Sequence, residues 1–251
     1  MADAADYPVD LYAALHRGHV GDIEFYLSRC EGADSVLELG CGEGRVTRAL
    51  NHAGHDVVGI DIAPDAVAAA TASGVEAYCC DISDFELKRR FDVVIAPYNT
   101  LYCLLSEQQL RTCFDRVAAH LADGGRFIFD VYAAEHLELP EYRTLDPAEA
   151  WVGTVDFAGE VWDVFERSRR LADERLIEVC YRHATTSDTP EIEATIVHRY
   201  FLENEIKALL LNAGLRPGPT WDAFEQGEGE SQERLLIVEA NLSTEQSQCK
   251  A

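Results

Sequence analysis

The sequence predicts an α/β fold, with strands and helices alternating to build a mostly parallel sheet and an antiparallel β insertion entering after the fifth strand. Three observations carry this. An apolar strand, Ser35-Val36-Leu37-Glu38-Leu39, runs into glycines at 40, 42 and 44 and then into a helical pattern from Arg45. Further short apolar runs follow at intervals filled by helical patterns, which is how parallel strands are connected. After Glu135 the periodicity changes to two, as antiparallel strands require. With 251 residues, 47% of them hydrophobic, one α/β core plus an insertion is the natural count.

Tyr7 to Cys30 reads as helix on both sides of Gly18 and Gly21, with an amphipathic stretch from Asp22 to Leu27. After the first strand, a helix from Arg45 closes at Gly54 and a strand runs from His55 to Asp61. Pro64 then opens a helix that Gly74 ends, the usual asymmetry of proline inside the start and glycine past the end. A third strand spans Val75 to Asp81, a short helix is expected behind the cap Ser83, and a fourth strand spans Phe91 to Pro97. Ser106-Glu107-Gln108-Gln109 is a capping box for a helix to about Leu121, and Asp123-Gly124-Gly125 turns into the fifth strand, Arg126 to Tyr132.

In the insertion, strands are expected at Val152 to Phe157, Val161 to Arg170, Arg175 to Thr185 and Ile192 to Tyr200, with turns at Ala158-Gly159-Glu160, Leu171 to Glu174 and Ser187 to Pro190. Alternation puts Ile177, Val179, Tyr181 and His183 on one face, and Ile192, Ala194, Ile196, His198 and Tyr200 on one face of the next strand. That apolar side can roof a site at the carboxyl edge of the sheet, or pack on the core or on a second subunit. A helix from Glu203 to Asn212, a final pair of strands (Leu215 to Phe224, Glu233 to Ala240), a mobile loop at 225–232 and a disordered polar tail complete the chain.

The glycine turn is where a nucleotide-like ligand belongs, because glycines allow close backbone approach and the helix behind them directs N–H groups at the turn. Dinucleotide dehydrogenases use a similar turn. Here, however, the glycines read G-x-G-x-G, and Arg45 stands where G-x-G-x-x-G needs its third glycine. An acid at the end of the second strand, Asp61, can accept two hydrogen bonds from ribose hydroxyls.

Glu38-Leu39-Gly40-Cys41-Gly42-Glu43-Gly44, Asp61, Asp81, Phe91-Asp92-Val93-Val94 and Leu121 to Phe127 together resemble the successive motifs of class I S-adenosylmethionine (SAM)-dependent methyltransferases, over roughly residues 34–132. The resemblance implies a Rossmann-like seven-stranded methyltransferase sheet with SAM across the carboxyl ends of its first strands, and a terminal antiparallel hairpin. Carried over residue by residue, Glu38, Gly40 and Gly42 line the methionine end, Asp61 holds the ribose, Ile62 and Ile82 flank the adenine, Asp81 reads its amino group and Ala96 borders the methyl sulfonium. Cys41, inside the turn beside the cofactor, reads as packing. The Tyr-x-x-x-His-x-Gly type of N-terminal lid found in similar small-molecule methyltransferases points to Tyr12 and to Arg17, the latter for the SAM carboxylate or as an ordinary surface arginine. The implied organisation is a helical lid (1–33), a SAM-binding core (34–135), a substrate cap (136–200), a C-terminal helix and hairpin (201–242) and a tail (243–251).

Methyl transfer from a sulfonium needs position and desolvation, and a base only where the acceptor must lose a proton. His183 and His198 are the candidate bases, with Glu166 and Asp222 as acidic alternatives. Tyr98, Tyr102, Trp151 and Trp162 are candidates for an acceptor pocket or for the core, and Glu166 and Arg199 for acceptor contacts. The reading is methyl transfer to a small-molecule acceptor, with nitrogen favoured over a hydroxyl or carboxylate oxygen and a non-catalytic SAM-binding protein as the other alternative. Ala96-Pro97-Tyr98-Asn99 differs from the Asn-Pro-Pro-Tyr motif of base-amino methylation.

A net charge of −24, with lysine only at 88, 207 and 250, repels nucleic acid and anionic lipid. There is no apolar run of 18 residues and the first ten residues are acidic, so a cytoplasmic protein without membrane span or leader is expected, with a homodimer as one option. Eight cysteines without a C-x-x-C pair read as reduced thiols, those at 79, 80, 113 and 180 in buried elements. His52 and His55 straddle a helix-ending glycine, so no metal is expected.

Overall fold

The computed structural model describes residues 7–142, 148–187, 189–224 and 234–243. By contacts the chain divides into two units, Met1–Arg17 with Ala134–Phe201, and Gly18–Ala133 with Leu202–Ala251. The N-terminal stretch is therefore shared: its first helix, α1 (Val9–Leu15), belongs with the insertion, and its second, α2 (Asp22–Cys30), with the core.

The larger unit is built on a seven-stranded sheet. Its strands are β1 (Ser35–Leu39), β2 (Asp56–Asp61), β3 (Glu76–Cys79), β4 (Phe91–Ala96), β5 (Leu121–Tyr132) and, from beyond the insertion, β10 (Leu215–Trp221) and β11 (Leu235–Leu242). The spatial order is β10-β11-β5-β4-β1-β2-β3. β1 to β5 run parallel, while β11 is antiparallel to both β5 and β10. Strands β1 and β4 are buried almost throughout, as parallel strands covered on both faces must be. Pro217 and Pro219 stand in β10, the sheet edge and the place where a missing backbone donor costs least, next to a shift in register.

Helices α3 (Arg45–His52), α4 (Pro64–Ala72), α5 (Glu107–His120) and α6 (Glu203–Asn212) cover the sheet where the apolar periodicity put them. One cluster joins Phe25, Tyr26 and Cys30 of α2 to Val36, Val46, Leu50, Val93, Ile95, Ile128 and Ile237. Each such fully buried side chain contributes roughly 1.5–3 kcal/mol of transfer free energy. Ser106 caps α5 by accepting the Gln109 backbone N–H at 3.2 Å.

Three local expectations fail, each for a visible reason. No helix follows Ser83; the Asp81 carboxylate accepts the Ser83 N–H at 2.7 Å and the Asp81 carbonyl accepts that of Asp84, a turn that satisfies the donors a helix would have used. β3 is four residues rather than seven, its register with β2 running only from Glu76 to Cys79. As β3 is also the sheet edge, Cys79 is exposed and Cys80 only half-buried, and Cys180 is half-buried on the insertion, whereas Cys113 lies in the core. The loop expected at 225–232 and, Ser243 apart, the polar tail lie outside the described residues.

The smaller unit is a four-stranded antiparallel sheet, β6 (Ala150–Phe157), β7 (Glu160–Leu171), β8 (Leu176–Ala184) and β9 (Ile192–Arg199), in that order. β6 and β7 are joined across Ala158 and Gly159, both with positive φ, the geometry that matches strand twist in a two-residue hairpin. Of the residues predicted for its apolar face, Val179, Tyr181, Ile192, Ala194 and Ile196 pack in one cluster. Within the unit α1 lies on that face, and Tyr7 and Leu11 pack with Val155, Trp162, Val164, Tyr181 and Ala194. Trp162 is a core residue whose indole N–H goes to the Phe157 carbonyl. Among the described residues, no helix is long and apolar enough to cross a membrane.

Candidate active site

In an open parallel sheet a ligand sits at the carboxyl ends of the strands, where the order reverses. Here β1 is that point, with β2 on one side and β4 on the other. The turn after β1 holds Gly40, Gly42 and Gly44 at φ of 67°, 54° and 86°, a backbone path that side chains other than glycine adopt only with strain. The Cys41 N–H bonds the Ile60 carbonyl at 3.0 Å, stitching the turn to β2. A Cβ on Gly40 would lie 2.6 Å from the Thr100 side chain, whereas around Gly42 there is open space for a ligand. Cys41 is packing, as expected: its sulfur fills the space in front of Gly59.

Asp61 closes the turn from β2. Its carboxylate accepts the Gly42 N–H and the Ala63 N–H, both at 2.9 Å, so it is oriented at the mouth of the turn. Ile62, next to it, is 68% exposed, while Ile82, after β3, is buried. Asp81 is oriented by the Ser83 N–H. Glu38 is buried and takes the Thr47 hydroxyl of α3 as its hydrogen-bond donor. Burial pushes its carboxyl up to about 8, against the opposing effect of the Thr47 hydrogen bond.

Asp22, Tyr26, Asn99 and Asp130, which the sequence reading left out, make hydrogen bonds that hold Arg45 and Tyr98 among others. Arg45 forms a two-point ion pair with Asp22, at 2.9 and 2.5 Å, in the space a Cβ on Gly18 would fill. Asp130, fully buried near the end of β5, accepts the Tyr26 hydroxyl at 2.6 Å and, through both oxygens, the Tyr98 N–H at 3.0 Å. Burial raises the Asp130 carboxyl to about 6, opposed by the Tyr26 bond. Tyr98 and Asn99 both have positive φ, at 56° and 63°, unusual for residues other than glycine. The neighbours hold them there: Asp130 takes the Tyr98 N–H, and the Asn99 side chain accepts the Tyr132 N–H at 2.7 Å. The Tyr98 ring meets His19, with centroids 5.1 Å apart. The sequence signal for Asp130 is a charge in the otherwise apolar run Phe127 to Tyr132; Asp22, Tyr26 and His19 carry no such signal.

The remaining predicted residues are placed as follows. Ala96 ends β4, fully buried. Tyr102 is 1% exposed, meets the Tyr132 ring edge-to-face and gives its hydroxyl to the Tyr132 carbonyl, which makes it a packing residue. Tyr12, Arg17, Trp151, Glu166, His183, His198 and Arg199 all belong to the smaller unit. There Arg17 is exposed and bonds the Ala14 carbonyl, Trp151 is 59% exposed with its N–H on Asp163, Glu166 accepts the Ser168 hydroxyl and Arg199 lies over the Phe201 ring. Tyr12 stacks on His16 at 4.3 Å. His183 is wholly buried, its Nε2 bonded to the Tyr7 hydroxyl at 2.7 Å. Burial lowers the pKa of His198 to about 4, and that of His16 to about 4 with added repulsion from His198 and His183.

A turn with open space at Gly42, an oriented acid after β2, a buried acid in β1 and a seven-stranded sheet ending in an antiparallel pair are the features that the resemblance to class I SAM-dependent methyltransferases implies. Residues 36–125 of the chain match the family described as the methyltransferase domain. It is 28% identical over 191 residues, 72% of each chain, to a dTDP-3-amino-3,6-dideoxy-alpha-D-glucopyranose N,N-dimethyltransferase of Streptomyces fradiae. It is 24% identical to a dTDP-4-amino-2,3,4,6-tetradeoxy-D-glucose N,N-dimethyltransferase of Saccharopolyspora spinosa, over 82% of this chain and 84% of the other. In fold it matches the CcbJ methyltransferase from Streptomyces caelestis with a TM-score of 0.79, at 20% identity over 96% of this chain and 98% of that one.

The residues present suit SAM. The open space at Gly42 admits a ligand against bare backbone, and Asp61, oriented by Gly42 and Ala63, can accept from ribose hydroxyls. When bound, SAM supplies a methyl group already activated by the positive sulfur. The chain's part is to bind, orient and exclude water.

Proposed function

We propose that this enzyme methylates an amine nitrogen on a small molecule, with an amino sugar as the acceptor class. The observation that carries the reading is its similarity, over 72% and 82% of the chain, to two N,N-dimethyltransferases of nucleotide-linked amino sugars. Glu38, Gly40 and Gly42 serve the amino-acid end of the donor, Asp61 the ribose, Asp81, Ile62 and Ile82 the adenine. Tyr98 faces the acceptor. The test is turnover of SAM with dTDP-linked amino sugars, the free amino sugars, and matched hydroxyl and carboxylate compounds. Methylated amine identified by mass spectrometry supports the reading; turnover confined to oxygen acceptors, or none across the set, overturns it.

A further inference from the structure

His19 lies in the link between α1 and α2, within the larger unit. Its ring is held between Tyr98, with centroids 5.1 Å apart, and Phe224, at 5.7 Å. Its backbone N–H is tied to Asp22 at 3.2 Å, and Asp22 is locked in turn by Arg45. The backbone is thus anchored and the ring sandwiched, which fixes where the side chain points. Its Nε2 is shielded from solvent and, among the described residues, has no hydrogen-bond partner. A buried polar atom without a partner costs roughly 1–3 kcal/mol, a cost borne at functional sites where a ligand supplies the partner.

We infer that His19 is a catalytic residue, with its Nε2 taking the proton of the acceptor nitrogen beside Tyr98. The inference rests on the amine reading above. The acceptor nitrogen forms its bond to the methyl carbon as the carbon–sulfur bond breaks, the electron pair remaining on sulfur. Positive charge passes to nitrogen, and one N–H proton goes to the neutral imidazole, which gives it up to solvent once the product has left. The groups facing His19 suit this task. Burial lowers its pKa, Asp22 opposes that and Arg45 adds to it, so the ring is neutral at neutral pH and able to accept. Tyr98 and Phe224, packed on the ring from the turn after β4 and from the segment after β10, bring no formal charge. His183 and His198, the bases the sequence suggests, lie in the smaller unit, with the Nε2 of His183 on Tyr7.

The test pairs a binding measurement with kinetics on the full chain. In sinefungin an amine-bearing carbon replaces the methyl sulfonium, whereas S-adenosylhomocysteine has nothing at that position. Calorimetric titration of wild type, His19→Phe and His19→Gln is expected to show a five- to tenfold loss of sinefungin affinity in His19→Phe with S-adenosylhomocysteine affinity unchanged. His19→Gln, which can still accept from an ammonium, is expected to retain most of it. In turnover both variants are expected to lose about a hundredfold in kcat and the acidic limb of the kcat profile, with little change in KM. Equal losses for both ligands, or none for either, would overturn the assignment, as would an unaltered acidic limb. A wild type that methylates no amine defeats the amine reading instead, and the ratio of the two affinities still reports whether His19 faces the methyl position.

Discussion

The Tyr26 hydroxyl donates to Oδ1 of Asp130 at 2.6 Å, and that same carboxylate takes the backbone N–H of Tyr98, so a helix before the first strand fixes the residue that follows the fourth. Tyr26→Phe removes the donor while leaving the ring in the core. A loss of about 1–3 kcal/mol in denaturant unfolding is expected, because a fully buried carboxyl then keeps fewer partners. Asp130 should also hold its proton to higher pH, since the Tyr26 bond favours the ionised form. Unchanged stability would mean that the hydroxyl contributes nothing at this place.

Asp61 bridges the glycine turn and the start of the link to α4 through Gly42 and Ala63. Asp61→Ala is expected to weaken SAM binding by about 1–3 kcal/mol, through loss of charge-assisted bonds to the ribose and of the turn's orientation. Isothermal titration decides it, and wild-type affinity would refute the ribose assignment.

Stability should depend on pH through Glu38. Its carboxyl titrates near 8 in the folded chain against an ordinary 4.5. The folded form therefore binds more protons between these values, so the contribution is fully present below about pH 4.5 and is lost as pH rises to about 8. Thermal unfolding of the ligand-free protein should show a midpoint falling over that window, and Glu38→Gln should flatten the fall. Equal slopes for the two proteins would sink the assignment.

The smaller unit should respond to acid with the opposite sign. His16 and His198 have folded values near 4, below the ordinary 6.5, so their contribution is present above about pH 6.5 and lost as pH falls towards 4. Near-ultraviolet circular dichroism of the tyrosines packed with His16 should change over that interval, and a His16→Phe, His198→Phe double variant should shift the change to lower pH.

Gly40→Ala places a Cβ 2.6 Å from Thr100 at a φ of 67°. A destabilisation of about 1–3 kcal/mol and a weaker SAM-induced rise in melting temperature are expected. Thr100→Ala in the same chain should recover part of the stability, since it relieves the contact but not the backbone strain.

The parallel core was legible in the sequence because each of its elements advertises itself locally. A buried strand shows as an apolar run, Pro64 and Gly74 bracket a helix, and Gly40, Cys41, Gly42 and Asp61 mark the site through their spacing. The insertion was legible for the same reason, since alternation over Ile177 to His183 and Ile192 to Tyr200 requires a sheet with one apolar face. What tertiary structure alone decided is which residues, distant in sequence, share one place. Asp22 and Arg45 are 23 positions apart, Tyr26 and Asp130 are 104, and the ring of His19 meets Tyr98 and Phe224 only because strand order carries them to one end of the sheet. A side chain's local pattern reports the element it belongs to. Its partners, and with them its protonation state and its use, depend on burial and on neighbours that no periodicity encodes.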